Sequence, residues 1–426
     1  MFSGRHRSSM LIAVLAALVI GATPAPAVPG AAARAKVFSG IVPDLPRAGG
    51  SVAAVAAQVQ IRRARLSRAS DVPYDGGEVL HWNRTHVIFW QPAGSTLTFD
   101  PGYIALIETF LREVAAGSHT TTSDYGLTGQ YIDPGGPAAY DSVYGGAVIA
   151  TDPLPANGCT APSRGGTGWA ACLTDQQLEA EIERVIAADH LPRSANDIYF
   201  LVTPDGFGDC ELSGPTDCAL GGEVDGSYCG YHSVTQDGIV YAVIPYNAVP
   251  GHCQSDNPRP NSSTADPAIS TISHEQVEMV TDPLGDAWID AAGNEVADLC
   301  IASYGPPLGG SEQAAFNEAI DGGHYYLQEI WSNADRSCQP RARPDVILVS
   351  APGEVARGRP VALSARASDP EGRIVSFKWF FGDGRTGQSN RASHSFKRDG
   401  LYRIVVRTTD SWGNWGFNAR QLRIAR

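Results

Sequence analysis

Eight cysteines lie between residues 159 and 338, and covalent bonds among them limit the ways in which this part of the chain can fold. An even number of cysteines is typical of disulfide bonds, and the paired C-x-x-C spacings of a zinc cluster do not occur. Eight cysteines allow about 105 pairings, among which the sequence does not choose. Nearness along the chain favours four bonds, Cys159–Cys172, Cys210–Cys218, Cys229–Cys253 and Cys300–Cys338.

The N-terminal residues have the pattern of a secretory signal. Basic residues at positions 5 to 7 precede an apolar run, Leu11 to Ala22, and small residues follow as far as Ala27. This order predicts a signal peptide over residues 1–27, and the run is too short to span a bilayer. We therefore expect a secreted, extracellular protein without membrane insertion, a setting in which disulfide bonds persist.

Charge divides the rest of the chain into three parts. Residues 28–70 carry seven basic residues and one acid, and residues 344–426 carry 14 basic and seven acidic residues. Residues 71–343 hold 37 acids against nine arginines, a net charge of −28. Such a surface repels nucleic acid and anionic lipid, and it suits a cationic substrate, a divalent metal or simple solubility. Residues 28–80 are rich in Ala, Arg, Gly and Pro, which predicts a basic flexible segment or pro-region.

Apolar periodicity predicts a mixed α/β or α+β domain over residues 81–340. Helices are expected over 102–116, 175–188 and 266–281, and strands over 87–90, 197–202 and 238–245. After a linker at residues 341–344 the pattern changes to short alternating strands separated by Gly and Asp turns. This change predicts a separate, all-β, immunoglobulin-like sandwich over residues 344–426.

The helix over 266–281 carries the pattern H-E-x-x-E. His274 and Glu278 stand at i and i+4, one turn apart, and can hold one ion. Glu275 occupies the place of the general base in H-E-x-x-H zinc peptidases. On a helical wheel these polar residues gather opposite an apolar face. The alternative interpretation is a solvent-exposed polar face with an incidental histidine.

The C-terminal sandwich resembles the PKD domain. The segment Trp379-Phe380-Phe381-Gly382-Asp383-Gly384 and the later Gly400-Leu401-Tyr402 and Asp410-Ser411-Trp412-Gly413 carry the likeness. Trp379 is expected to point inward and to anchor one sheet, while the two glycines shape the turn. The resemblance implies a spacer or substrate-holding module rather than a catalytic one.

Residues 85–340 resemble the EXORDIUM family, also called phosphate-induced proteins, and secreted bacterial zincin-like relatives. The likeness rests on Cys229-Gly230-Tyr231-His232, the H-E-x-x-E helix followed by Thr281-Asp282-Pro283, Ala287-Trp288, Glu295-Val296-Ala297-Asp298-Leu299-Cys300 and Gln328-Glu329-Ile330-Trp331-Ser332. The resemblance implies a metal site and a fold more than a reaction. The family pattern has Asn where this chain has Asp282, which favours Asp298 or Glu295 as the third ligand. Of these, Asp298 is preferred, with Glu295 as second choice or as a partner of His274.

Two hypotheses follow from these residues. In the first, an exported zincin-like zinc metallopeptidase holds Zn²⁺ with His274, Glu278 and Asp298 or Glu295. Glu275 then activates water, His232 stabilises an oxyanion, and the PKD module holds the protein near an extracellular protein or wall polymer. In the second, a non-catalytic, wall-associated EXORDIUM-like protein binds a structural ion, zinc or Ca²⁺, with the same cluster. No carboxylate spacing favours a glycosidase.

Overall fold

The structure is a computed structural model, and it describes residues 39–43, 71–119, 123–159, 169–210, 218–219, 228–341, 345–369, 373–410 and 415–425. The predicted signal peptide lies outside these residues. Within them the α/β region has three helices, α1 (Tyr103–Ala116), α2 (Asp175–Ala188) and α3 (Asp266–Thr281). Short 3₁₀ turns occur at Asp124–Gln130, Asp298–Cys300 and Glu312–Ala314. None of the described helices has the length and apolar character needed to cross a bilayer.

Within the described residues, the α/β region also has fourteen strands. They are β1 (Ser39–Pro43), β2 (Asn83–Trp90), β3 (Ile132–Asp133), β4 (Gly136–Pro137), β5 (Ser142–Ala150), β6 (Ala171–Thr174), β7 (Asp197–Val202), β8 (Phe207–Cys210), β9 (Tyr228–Val234), β10 (Val240–Ile244), β11 (Glu318–Ile320), β12 (Gly323–Tyr325), β13 (Ile330–Ser332) and β14 (Ser337–Gln339). The central sheet has the order β1-β9-β10-β7-β2-β5. Strands β10, β7, β2 and β5 are parallel, whereas β9 and β1 run antiparallel to their neighbours. The predicted mixed α/β class is confirmed.

Helix α3 has the predicted bounds, but its surroundings differ from the prediction. Ala265 is the N-cap, and the carboxylate of the next residue, Asp266, accepts a hydrogen bond from the Ser263 N–H at 3.0 Å. The helix ends at Thr281, two residues before Pro283. Every residue of α3 is buried. The alternative interpretation, a solvent-exposed polar face with an incidental histidine, is therefore wrong, because residues 295–300 and 328 cover the side of α3 that carries His274.

Residues 28–80, for which the sequence predicts a basic flexible segment or pro-region, are ordered parts of the fold at two places. Strand β1 forms the edge of the central sheet, with Ser39 opposite His232 and Val42 opposite Gly230. Val72, which is 1% exposed, belongs to the main core, as do two further residues before position 81. The sequence did not reveal these contacts because β1 is short and its partner lies far along the chain. The other residues between 28 and 70 lie outside the described part.

All four predicted disulfide bonds are confirmed. They join Cys159 to Cys172, Cys210 to Cys218, Cys229 to Cys253 and Cys300 to Cys338. Each therefore joins one cysteine to the next along the chain. The last bond anchors the 3₁₀ turn Asp298–Cys300 to β14.

The C-terminal region is the predicted all-β sandwich with a core of its own. Its strands are β15 (Asp345–Ser350), β16 (Glu354–Ala356), β17 (Pro360–Ser368), β18 (Ile374–Phe380), β19 (Thr386–Gln388), β20 (Arg391–Ser395), β21 (Gly400–Asp410) and β22 (Trp415–Ala425). They form the sheets β15-β17-β20 and β16-β22-β21-β18-β19. Trp379 is fully buried, as expected. Gly382 and Gly384 have φ values of 82° and 85°, which a side chain would disfavour.

Candidate metal site

Helix α3 brings His274 and Glu278 together, as their i, i+4 spacing predicts. His274 Nε2 lies 3.1 Å from Glu278 Oε2, and both side chains are buried. The contact lacks hydrogen-bond geometry, so neither atom has a hydrogen-bond partner. Two ligands of one zinc ion, each about 2 Å from the metal, stand at a comparable separation. The expected convergence of these two side chains is confirmed.

The loop after α3 adds Asp298 to this pair. Glu278 Oε1 accepts hydrogen bonds from the backbone N–H groups of Ala297 and Asp298, both at 3.0 Å. These bonds hold the loop against the helix and leave Glu278 Oε2 facing His274. Asp298 Oδ1 lies 3.5 Å from His274 Nε2. One ligand atom from each of His274, Glu278 and Asp298 lies within 4.8 Å of the other two, and we call these residues the first triad.

Asp298 also accepts a hydrogen bond from the backbone close to its own turn. Its Oδ2 accepts a hydrogen bond from the Glu295 N–H at 3.0 Å, while Oδ1 faces His274. The Asp298 side chain is 9% exposed, against 1% for His274 and 0% for Glu278. Asp298 is therefore the member of the triad nearest to solvent.

Glu295 lies against a different histidine from the one the sequence suggested. Its Oε2 is 2.8 Å from His232 Nε2, and both side chains are fully buried. The partner of Glu295 is thus His232, not His274 as expected. The physical reason is that Glu295 precedes the 3₁₀ turn, which begins only at Asp298, the residue that faces His274.

Glu275 occupies the space between α3 and strand β9. Gly230 and His232 are two residues apart on β9, so they lie on the same face of the sheet. A Cβ atom at Gly230 would come within 3.2 Å of Glu275 Oε1, which shows how closely the carboxylate approaches the strand. Both Glu275 oxygens are buried without a hydrogen-bond partner. One ligand atom from each of His232, Glu275 and Glu278 lies within 4.8 Å of the other two, and we call these residues the second triad.

Asp282 belongs to neither triad, although its side chain interacts with that of Glu295. Its Oδ1 accepts hydrogen bonds from the N–H groups of Asp286 and Ala287, both at 2.8 Å. This carboxylate therefore closes the turn that follows α3, a role that an Asn side-chain oxygen would also fill.

The buried acids and histidines shift one another's pKa values. Burial alone would lower the pKa of His274, but the negative charges of Glu278 and Asp298 outweigh burial and raise it well above its ordinary value. Burial lowers the pKa of His232 to about 4. Burial, reinforced by Glu278, raises the pKa of both Glu275 and Glu295 well above the ordinary value. Without a cation, burial therefore favours the neutral form of Glu275 and Glu295.

Gln328 is a site residue that the sequence analysis did not single out. Its Nε2 donates a hydrogen bond to the Ala297 carbonyl at 2.8 Å and lies 3.2 Å from His274 Nδ1. This contact sets the plane of the imidazole ring, with Nδ1 toward Gln328 and Nε2 toward Glu278 and Asp298. The Q-x-x-W-S segment of the resemblance was the available signal.

The donor atoms at this site fit a divalent metal. His274 Nε2, Glu278 Oε2 and both oxygens of Glu275 are buried without a hydrogen-bond partner. Leaving so many polar atoms unpaired in the interior is costly, and a bound cation would pair several of them at once. The donor set combines imidazole nitrogen with carboxylate oxygen, which zinc accepts readily.

Comparisons with known proteins support both resemblances. Residues 341–420 match the PKD domain family. The C-terminal sandwich is a PKD domain. A solved PKD domain from Vibrio anguillarum Epp is 25% identical and covers 19% of this chain and 93% of that chain, with a TM-score of 0.17.

The chain is also similar to Protein EXORDIUM-like 3 of Arabidopsis thaliana, at 31% identity over 146 residues. That match covers 26% of this chain and 43% of the plant protein. A microbial collagenase of Vibrio alginolyticus is 38% identical over 69 residues, 16% of this chain and 8% of the collagenase. The chain thus spans less than half the length of each of these two relatives.

Proposed function

We propose that the α/β region is an exported, zinc-dependent hydrolase of the zincin-like metallopeptidase class. Its PKD domain would hold it near an extracellular protein or wall polymer. The observation that carries this proposal is Glu275, a fully buried carboxylate with two unpartnered oxygens, next to a triad with metal-ligand spacing. A carboxylate in that place is what a hydrolase needs to accept a proton from water. The four disulfide bonds support export.

The donors of the first triad favour zinc over calcium. Calcium takes six to eight oxygen ligands, whereas this triad offers one imidazole nitrogen and two carboxylates. His274, Glu278 and Asp298 would hold the ion and leave a fourth position for water or substrate. A zinc ion in that place would lower the pKa of a bound water and polarise a carbonyl group.

The chain's own residues would divide the remaining work. Glu278 fixes the loop of Asp298 through two backbone N–H groups, so the two carboxylates keep their separation. Gln328 orients the His274 ring. Glu275, whose pKa burial raises, would hold the proton that water releases. His232 is bonded to Glu295 and fully buried, so it would reach an oxyanion only after the site opens.

A second candidate function has one observation in its favour. The His274, Glu275 and Glu278 side chains are all but inaccessible to solvent, and closed sites are typical of structural metals. A non-catalytic EXORDIUM-like protein with a structural ion would show the same burial. In that case the ion stabilises the fold and no substrate reaches it.

Metal content and hydrolysis measured together distinguish the two functions. The purified protein should carry zinc by elemental analysis and should cleave a fluorogenic protein substrate or a wall polymer. Glu275→Gln should retain the ion of the first triad and lose about 100-fold or more in kcat. His274→Ala should lose both the ion and the activity. Bound metal without hydrolysis, and a fall in unfolding temperature on chelation, would favour the structural ion. Absence of bound metal would overturn both.

A further inference from the structure

We infer that the cluster holds two divalent cations, with Glu278 shared between a first position at His274 and Asp298 and a second at His232 and Glu275. The inference rests on the proposed metal site and deepens it. It goes beyond the single ion that a helix-borne H-E-x-x-E motif predicts.

The two triads overlap in one residue. The first consists of His274, Glu278 and Asp298, and the second consists of His232, Glu275 and Glu278. Since Glu278 Oε1 is occupied by two backbone N–H groups, Oε2 is the oxygen left for both positions. Paired metal ions in hydrolases stand about 3.5–4 Å apart, a distance that a shared carboxylate oxygen allows.

The second triad has its own unpartnered donors. Glu275 and His232 are fully buried, and both oxygens of Glu275 and the Nδ1 atom of His232 have no hydrogen-bond partner. A single ion in the first position leaves these atoms unpaired. Glu295, whose Oε2 lies 2.8 Å from His232 Nε2, is next to the second position and adds a negative charge there.

Charge supports a second ion as well. The two triads and Glu295 bring together four carboxylates and two imidazoles, all of them buried except the slightly exposed Asp298. One divalent cation offsets two of the four negative charges that these acids carry when ionised. A second cation offsets the other two, with both histidines uncharged, the state in which they bind metal. Asp282, which is buried against Glu295, adds a fifth carboxylate beside the cluster. One oxygen of Glu275 would bind the second ion, and its other oxygen would stay available to hold a proton.

The inference is tested by counting ions in the intact protein. Metal is removed with a chelator, Zn²⁺ is added back, excess is removed by gel filtration, and bound zinc is measured by elemental analysis. We expect two equivalents in the wild type and one in His232→Gln, Glu275→Gln and Asp298→Asn. Glu278→Gln should hold at most one, weakly. The control is Glu318→Gln, which alters a buried carboxylate outside both triads and should keep two.

A spectroscopic measurement protects the test against variants that fold poorly. In the wild type loaded with Mn²⁺, two ions that share one oxygen should give an exchange-coupled electron paramagnetic resonance spectrum. Zero equivalents in the wild type would overturn both this inference and the proposed function. One equivalent that Asp298→Asn removes would overturn the two-ion inference alone. Two equivalents retained in both His232→Gln and Glu275→Gln, or an uncoupled spectrum, would also overturn it.

Discussion

Replacing Gly230 with alanine should force α3 and β9 apart. A Cβ atom at this position would lie 2.5 Å from Thr271 Cγ2 and 3.2 Å from both Glu275 Oε1 and the Val243 carbonyl oxygen. Carbon atoms prefer separations of about 3.5–4.0 Å, so the first contact must open by roughly 1 Å or more. Overpacking a buried contact typically costs about 1–3 kcal/mol. We expect Gly230→Ala to lower the free energy of unfolding by about 2 kcal/mol.

A second substitution, at Thr271, should relieve this clash. Thr271→Ser removes the methyl group that the new Cβ would meet, at a cost of about 1 kcal/mol on its own. The double variant Gly230→Ala/Thr271→Ser should therefore be more stable than the sum of the two single effects by about 1 kcal/mol or more. Gly353→Ala is the control for the general effect of adding a methyl group, because a Cβ there would meet nothing within 4 Å.

The assay is urea unfolding of the four variants and the wild type, followed by tryptophan fluorescence. A Gly230→Ala protein as stable as the wild type would refute the close approach of α3 to β9. So would a double variant whose loss equals the sum of the single losses.

Two further predictions concern the disulfide bonds and a buried acid. Replacing Cys300 and Cys338 with alanine opens a span of 38 residues and should lower the free energy of unfolding by about 4 kcal/mol, against about 3 kcal/mol for Cys159 and Cys172, whose span is 13. Only the loss of Cys300–Cys338 should weaken zinc binding, as measured by titration. Equal zinc affinities in the two variants would contradict the anchoring role of that bond. Burial raises the pKa of Asp124 from its ordinary value of 3.8 to about 7, so the folded state binds its proton more tightly and the wild type should lose stability as the pH rises from about 4 to about 7. Asp124→Asn should remove this loss, so its unfolding midpoint relative to the wild type should be higher at pH 8 than at pH 5. A pH-independent difference in unfolding midpoints would show the assignment to be wrong.

Local signals in the sequence predicted the helix that carries the site. Pro267 lies in the first turn of α3 and Pro283 follows its end, and the spacing of His274 and Glu278 fixes their convergence whatever surrounds them. Whether that face is exposed depends on what packs on it. Since the residues that cover it are separated from their contacts on α3 by 19, 20 and 54 positions, periodicity alone did not reveal the burial.

Non-local contacts account for what the sequence did not predict. Strand β1 pairs with β9 across about 190 residues of chain, and its basic, Ala-rich surroundings gave no strand signal. The separation of Glu295 from Asp298 depended on where a 3₁₀ turn begins, which a three-residue spacing does not determine. Gln328 acts through a contact with His274 that only the folded chain creates.

The bonding of each cysteine to its immediate successor has a consequence for oxidative maturation. As a chain emerges from its N-terminus into an oxidising compartment, an oxidase meets Cys159 and Cys172 first, and each later pair becomes available only after the earlier pair. Joining thiols strictly in order of emergence thus yields the native pattern without reshuffling, a step that takes seconds to hours. This connectivity suits rapid maturation without help from a disulfide isomerase.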